Sequence, residues 1–101
     1  MEIHERAGGA VLFNGDILDL SPGSAPPILI DRNDGAITFA GKVTLSSGSS
    51  DAILFSNPGA ESAVSFTGGG LDIDTTSGTG LNASGTGNGA TLRISGSNNS
   101  V

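Results

Sequence analysis

The fold is decided by the stretch Ala63-Val64-Ser65-Phe66-Thr67-Gly68, because close variants of it recur along the chain. Residues 10–15, 36–41 and 91–96 share its apolar-x-apolar core and its closing glycine, with isoleucine in place of phenylalanine in the last. The four closing glycines follow one another at intervals of 26, 27 and 28 residues. A repeat of this length cannot bury a core alone, so the sequence predicts a solenoid of stacked coils.

Each repeat contains three short units in which two apolar residues flank one other residue. Such alternation with period two indicates a β-strand with one buried face. Stretches rich in Gly, Ser and Pro separate the units and predict turns. The predicted inward pairs are Val11/Phe13, Ile37/Phe39, Val64/Phe66 and Leu92/Ile94 in the first unit, Leu18/Leu20, Val43/Leu45 and Leu71/Ile73 in the second, and Ile28/Ile30, Ile53/Phe55 and Leu81/Ala83 in the third.

The spacing between units is regular. The step from the second unit to the third is eight residues in every repeat, as from Leu20 to Ile28. We therefore expect three faces per coil, with equivalent residues stacked in ladders about 4.8 Å apart. The predicted ladders include Phe13–Phe39–Phe66 and Leu20–Leu45–Ile73.

The predicted fold class is all-β, a parallel β-helix (β-solenoid) with three strands per coil and about four coils of about 27 residues. No helical periodicity or capping pattern is present. The chain of 101 residues is long enough for one domain. Its expected parts are an N-terminal strand or cap over 1–9, coils over 10–35, 36–62 and 63–90, and a partial fourth coil over 91–101.

The run from Ala63 to Gly80, with its Phe-Thr-Gly-Gly-Gly and Leu-Asp-Ile-Asp-Thr segments, resembles the β-helix repeats of large bacterial proteins. The similar proteins are secreted and cell-surface adhesins of the autotransporter and haemagglutinin type. The resemblance covers residues 10–101. It implies a right-handed parallel β-helix, an extracellular or cell-surface location with the signal outside this chain, and a non-catalytic adhesin or stalk role.

Charge and hydropathy restrict the partners. Ten acidic residues stand against four basic ones, a formal net charge of −6. A nucleic-acid interface needs a basic stripe, so no nucleic-acid partner is expected. No apolar run approaches membrane-spanning length, and the first residues lack the apolar region of a signal peptide. The absence of cysteine excludes disulfide bonds.

Catalytic and metal sites are not expected. His4 is the only histidine, and no nucleophile or acid–base cluster accompanies it, so we predict neither enzymatic activity nor a cofactor. Asp72 and Asp74 follow a glycine triplet and invite a calcium interpretation. The nine-residue repeat that such a site requires does not recur, so we expect solvated, outward-facing carboxylates with at most weak calcium association. Asp19 is predicted to face outward at the position equivalent to Asp72.

The ends of the chain carry the main functional hypothesis. Met1-Glu2-Ile3 has the spacing of a third-unit strand, and Val101 falls at an inward position of an unfinished fourth coil. One copy's N-terminal strand would complete the last coil of the next, so that twelve strands make four complete coils. Such a head-to-tail contact does not close and grows a filament, with the protein itself as partner. The predicted assembly interface is Met1, Ile3, Val11, Phe13, Leu92, Ile94 and Val101.

Other interpretations stay open at this point. The chain is alternatively an excised fragment in which Glu2 to Arg6 fray, or an adhesin segment whose outer face binds a glycan. A polysaccharide-active enzyme is a third class, which lacks its usual cluster of acidic and basic residues here. Leu29 and Leu54 are predicted to face outward on adjacent coils, as a lateral contact.

Overall fold

The computed structural model describes residues 1–85 and 89–101. In those residues there is no helix, and eleven short strands account for the regular structure. The strands are β1 (Glu2–Arg6), β2 (Ala10–Phe13), β3 (Ile17–Asp19), β4 (Ile28–Asn33), β5 (Ala36–Phe39), β6 (Val43–Ser47), β7 (Ile53–Ser56), β8 (Ala63–Phe66), β9 (Asp72–Thr75), β10 (Leu81–Ser84) and β11 (Thr91–Ile94).

The strands form three parallel sheets, one on each face of a solenoid. Sheet 1 has the order β2-β5-β8-β11, sheet 2 the order β3-β6-β9, and sheet 3 the order β1-β4-β7-β10. Every neighbouring pair is parallel and lies one repeat apart in sequence. The parallel β-solenoid predicted from the repeat is therefore confirmed.

Most of the predicted register is confirmed as well. On sheet 1, Phe13 pairs with Phe39, and Phe39 with Phe66. Their rings stack with centroids 5.0 and 4.7 Å apart. On sheet 3, Ile30 lies between Ile3 and Phe55 in one column. The core is thus a set of columns of like residues, which is how such thin coils bury apolar surface.

One predicted ladder is wrong. Ile17, not Leu18, pairs with Val43, and Asp19, not Leu20, pairs with Leu45. Leu18 is 69% exposed and Leu20 58% exposed. Asp19 lies on the inward side of β3 and is half-buried, so the prediction of an outward-facing Asp19 is also wrong.

The cause of this shift is a column of glycines at the corner between sheets 1 and 2. A Cβ built on Gly41 would overlap the carbonyl group of Gly15 and approach the amide nitrogen of Asp16 to 2.8 Å. This contact fixes the corner, and both β3 and β6 then begin two residues after their glycine. Hydropathy favours Leu18 inside, but backbone packing at the corner places Ile17 there instead.

The described strands make three complete coils, β2–β4, β5–β7 and β8–β10, with β1 before them and β11 after them. The predicted second strand of the fourth coil is reduced to a single bridge between Ser100 and Asp72. There are therefore eleven strands and one bridge, where the sequence predicted twelve strands.

Side-chain carboxylates tie successive coils together at the corners. Each accepts a hydrogen bond from a backbone N–H one coil further on, which satisfies a donor that the turn leaves outside the sheet ladders. The bonds run from Lys42 N to Asp16 Oδ1 (2.8 Å), from Glu61 N to Asp34 Oδ1 (2.9 Å) and from Thr79 N to Asp51 Oδ1 (3.3 Å).

Candidate assembly interface at the two ends

The N-terminal end of the solenoid is an open rim of three strand edges. β1, β2 and β3 each lie at the edge of their sheet, with a neighbour on one side only. Four inward residues of this rim pack against the core from one side and remain half-buried: Ile3, Val11, Phe13 and Ile17. Unpaired strand edges are templates for further pairing.

The strand at this rim is firmly held. β1 pairs with β4 over four register positions, from Glu2 against Leu29 to Arg6 against Asn33. The amino group of Met1 donates a hydrogen bond of 2.6 Å to the carbonyl oxygen of Pro27. The expectation that Glu2 to Arg6 fray is therefore wrong, and β1 is the third-unit strand that its spacing predicted.

A buried polar chain fixes the end of β1. Arg6 Nη1 donates to Asn33 Oδ1 at 2.8 Å, and Asn33 Nδ2 donates to Ser62 Oγ at 2.9 Å. Asn33 is fully buried and Ser62 is 1% exposed. Because three successive coils contribute one group each, these hydrogen bonds tie the coils together at the corner between sheets 3 and 1.

The C-terminal end is the second open rim. β10, β11 and the short bridge at Ser100 form its three edges. The bridge register places Val101 over Ile73, as predicted, and Val101 is 72% exposed. Ile94 continues the phenylalanine column and is 40% exposed.

A hollow opens beside this second rim. Its volume is about 180 Å³, and it lies where the column Ile3–Ile30–Phe55 ends in the small side chain of Ala83. Its lining residues are Phe55, Pro58, Ala83, Ser84, Gly85, Ala90 and Leu92. Sequence reasoning missed this feature, although the change from Phe55 to Ala83 within one column signals it.

Exposed apolar side chains concentrate at the two ends. In the described residues, all six large apolar side chains that are exposed lie within residues 1–20 or 94–101: Met1, Leu12, Leu18, Leu20, Ile94 and Val101. The middle coils bury theirs. Leu12 and Leu18 face sideways from the first coil, whereas Ile94 and Val101 lie on inward columns.

The polar groups on the outer side of sheet 3 form a structural cluster. Asp31 accepts hydrogen bonds of 2.8 Å from Ser56 Oγ and from Asn57 Nδ2, and it pairs with Arg32 at 3.0 Å. These contacts, the bond from Asn57 first, lower the pKa of Asp31 below its ordinary value of 3.8. His4 lies beside Asp31 in the ladder and is exposed.

The outer side of sheet 2 carries an open hollow of about 550 Å³. It is lined by Leu20, Thr44, Leu45, Ser46, Asp72, Ile73, Asp74 and Ser100. Asp72 and Asp74 are exposed on this face, as predicted. Within residues 1–85 and 89–101, no group of three or more His, Cys, Asp or Glu side chains is placed to hold a metal ion.

The two leucines predicted to form a lateral contact do stack. Leu29 pairs with Leu54 in adjacent coils of sheet 3, and both are half-buried. Their column begins at Glu2 and ends at Asn82, so the apolar patch is two residues long and has polar neighbours.

No protein-family model, curated protein or solved structure matches this chain. In the described part of the chain there is also no helix of the length and apolarity that crossing a membrane requires.

Proposed function

We propose that this chain is a structural subunit that stacks head to tail into filaments, with a second copy of itself as its partner. The observation that carries the proposal is the phase of the strands at the two ends. The last strand elements belong to sheets 1 and 2, and β1 of the next copy belongs to sheet 3. A coil made of β11, the segment around Ser100 and the next copy's β1 is therefore complete.

The register found inside the solenoid extends across this junction without a shift. On sheets 1 and 3, each apolar column that ends at the C-terminal rim has an apolar first member at the N-terminal rim. The facing pairs across the junction are Ala83 with Ile3, Leu92 with Val11, and Ile94 with Phe13. Apolar residues thus meet apolar residues at the predicted interface positions, and their burial provides the driving force.

The hollow beside Ala83 supports the same arrangement. Ile3 of the next copy would lie directly over Ala83, at the mouth of a cavity lined by Phe55 and Leu92. A branched side chain from the partner fills space that the alanine leaves open. Well-packed contacts of this kind account for much of the energy of protein interfaces.

The area of the two rims is also large enough for a stable protein–protein interface. The molecule measures 32 × 26 × 17 Å, and four strands about 4.8 Å apart account for the shortest dimension. The rims are therefore the broadest faces of the molecule. Their extent is comparable to the ~800 Å² per partner of a standard stable interface.

Electron microscopy of the purified chain tests the proposal. At about pH 5, above the isoelectric point of about 4.2, filaments should form at high micromolar concentration, with an axial subunit repeat of about 19 Å from four strand spacings. Ile3→Lys and Ile94→Lys, one at each rim, should abolish them, because each places an ammonium group in an apolar column. Thr38→Lys adds the same charge to the outer face of the middle coil, between Leu12 and Ser65 and away from both rims, and should leave filaments intact.

A monodisperse monomer at that concentration would overturn the proposal. Circular dichroism of the Lys variants must show the β-sheet signal of the unchanged chain, which separates lost assembly from lost folding. Because Ile94 is 40% exposed, its variant is the one expected to fold without difficulty.

The alternative proposal is a non-catalytic adhesin or stalk segment, in which the open rims continue into further coils of the same polypeptide. The resemblance to bacterial surface proteins supports it, and it supports an extracellular or cell-surface location for either proposal. The two differ in their requirement for a second copy. A stalk segment stays monomeric when its rims carry additional coils, whereas a filament subunit assembles through its own rims.

A further inference from the structure

At the N-terminal rim, the edge strand of sheet 2 carries a carboxylate in an inward-facing position. Asp19 faces the same side of β3 as Ile17 and lies in a column with Leu45 and Ile73. It is half-buried, and its Oδ1 accepts a hydrogen bond of 3.0 Å from the backbone N–H of Ser21. The column is apolar at every position below Asp19, so this residue breaks an otherwise continuous pattern.

We propose that Asp19 is a proton-operated gate on head-to-tail assembly, an inference that rests on the proposed function. In the stack, the bridge register places Asp19 of one copy against Val101 of the copy before it. The junction then covers a carboxylate with an isopropyl group. An ionised carboxylate removed from water without a cationic partner is strongly unfavourable, whereas the protonated form is tolerated.

The charged groups around this position offer no compensation. On its own segment the nearest is Asp16, whose carboxylate accepts the backbone N–H of Lys42. The methylene carbons of the Lys42 side chain lie beside Gly70, one coil further along the solenoid. β6, directly below Asp19, presents Leu45 flanked by Thr44 and Ser46, none of them charged. Across the junction, the residues that face it are Ser100 and Val101, and neither side chain is charged. The strand behind them, β9, presents the carboxylates of Asp72 and Asp74 and no cation.

Docking of two copies is therefore coupled to the uptake of a proton by Asp19. At neutral pH the charge opposes stacking, in the way that inward-pointing charges protect strand edges in other β-proteins. As the pH falls, the charge is neutralised and the junction closes. The device keeps the subunits apart in neutral solution and releases them for assembly in an acidic one.

The test compares the critical concentration for assembly of the unchanged chain, Asp19→Asn and Glu61→Gln between about pH 5 and pH 7. This window lies above the ordinary pKa of a free aspartate. It also lies above the isoelectric point of about 4.2, so nonspecific precipitation is avoided. Asp19→Asn retains an acceptor for the Ser21 amide. Glu61→Gln removes the same charge from an exposed side chain in the turn between β7 and β8, away from both rims.

Uptake of one proton per junction makes the critical concentration rise about tenfold per pH unit. This slope should be present for the unchanged chain and for Glu61→Gln. It should be absent for Asp19→Asn, which has no carboxylate to protonate at the junction. At pH 7 the critical concentration of Asp19→Asn should be at least about tenfold lower than that of the unchanged chain.

Two results would overturn the gate. If the unchanged chain and Asp19→Asn assemble with the same pH dependence, stacking stands and Asp19 does not control it. If neither assembles at any pH in the window, and Asp19→Leu also stays monomeric, the head-to-tail contact itself is wrong.

Discussion

The rings of Phe39 and Phe66 stack with centroids 4.7 Å apart and planes inclined by 8°. Phe13 stacks on the other face of Phe39 in the same way, at 5.0 Å and 9°. Phe39 therefore has a ring on both sides, and this column joins three coils through the core. Such contacts contribute beyond the burial of apolar area.

Phe39→Leu tests this column. Leucine keeps the site apolar but loses two ring pairs, worth about 0.5–1.5 kcal/mol each. The matched control is Phe55→Leu, since Phe55 is also buried and, among the described residues, stacks on no other ring. Chemical denaturation should show that Phe39→Leu loses about 1–3 kcal/mol more than the control. Equal losses of unfolding free energy in the two variants would show that ring stacking does not stabilise the fold.

The corner glycines provide a second prediction. Gly41→Ala places a Cβ into the Gly15 carbonyl group, where the nearest atoms all belong to the backbone and no flexible side chain can move away. Gly15→Ala is a matched control, because a Cβ there meets nothing within 4 Å. We expect Gly41→Ala to destabilise by more than about 2 kcal/mol or to prevent folding, and Gly15→Ala to change the unfolding free energy by about 0.5 kcal/mol or less. A tolerated Gly41→Ala would contradict the close approach of coils at this corner.

The buried hydrogen-bonded chain at Asn33 provides a third prediction. Asn33→Ala removes the acceptor at 2.8 Å from Arg6 Nη1, although the guanidinium keeps its bonds to the carbonyl oxygens of Ala36 and Gly8. It also leaves the buried Ser62 Oγ without its donor. An unsatisfied buried polar group costs about 1–3 kcal/mol, so thermal unfolding should shift to clearly lower temperature. Asn14→Ala, at an exposed corner, serves as the control and should unfold like the unchanged chain.

Acid should weaken the cluster around Asp31. The pKa of Asp31 is lowered by hydrogen bonds from Asn57 and Ser56 and by the charge of Arg32. A carboxyl group whose pKa is lower in the folded than in the unfolded chain stabilises the fold above its unfolded value, 3.8, and this stability is lost as the pH falls through the folded value.

Unfolding measured from neutral pH to below about pH 4 checks this sign. Asp31→Asn should lose part of the acid dependence of the unfolding free energy, and Ser56→Ala should lose less of it, because one donor remains. An acid dependence identical in all three chains would show that these bonds do not favour the ionised form.

Much of the fold follows from the sequence because the repeat is visible in its glycines and apolar pairs. The columns on sheets 1 and 3 obey the alternation directly, as Phe13–Phe39–Phe66 and Ile3–Ile30–Phe55 do. The position of β1 also follows from its spacing, since it pairs with β4 as a third-unit strand.

Sheet 2 shows where this reasoning fails. Ile17-Leu18-Asp19-Leu20 contains two interleaved alternations, and hydropathy selects the pair Leu18/Leu20. The backbone contact between Gly15 and Gly41 selects the other, so Leu18 and Leu20 are exposed and Asp19 enters the column. The first inward residue follows the corner glycine by two positions in the first two coils, at Ile17 and Val43. In the third coil it follows Gly68 by three positions, at Leu71, so the count recovers the register of the first two coils only. The hollow beside Ala83 is signalled in the sequence by the change from Phe55 to Ala83 within one column, but its shape depends on how the surrounding side chains fill space.

The most direct measurement of the central claim is disulfide trapping between two variants, since the chain has no cysteine of its own. Ile3→Cys and Ala83→Cys are prepared separately in the Asp19→Asn background, in which the charge that opposes stacking at neutral pH is absent, and are then mixed and oxidised. In the stack these positions face each other on neighbouring parallel strands about 4.8 Å apart, within the range that a disulfide spans. Within one molecule they are separated by two intervening members of their column, Ile30 and Phe55.

Leu12→Cys mixed with Ala83→Cys is the control, because Leu12 faces sideways on sheet 1 and Ala83 lies on sheet 3. The account predicts rapid formation of a covalent dimer between Ile3→Cys and Ala83→Cys chains and little in the control. Equal, slow cross-linking in the two mixtures would contradict the head-to-tail junction.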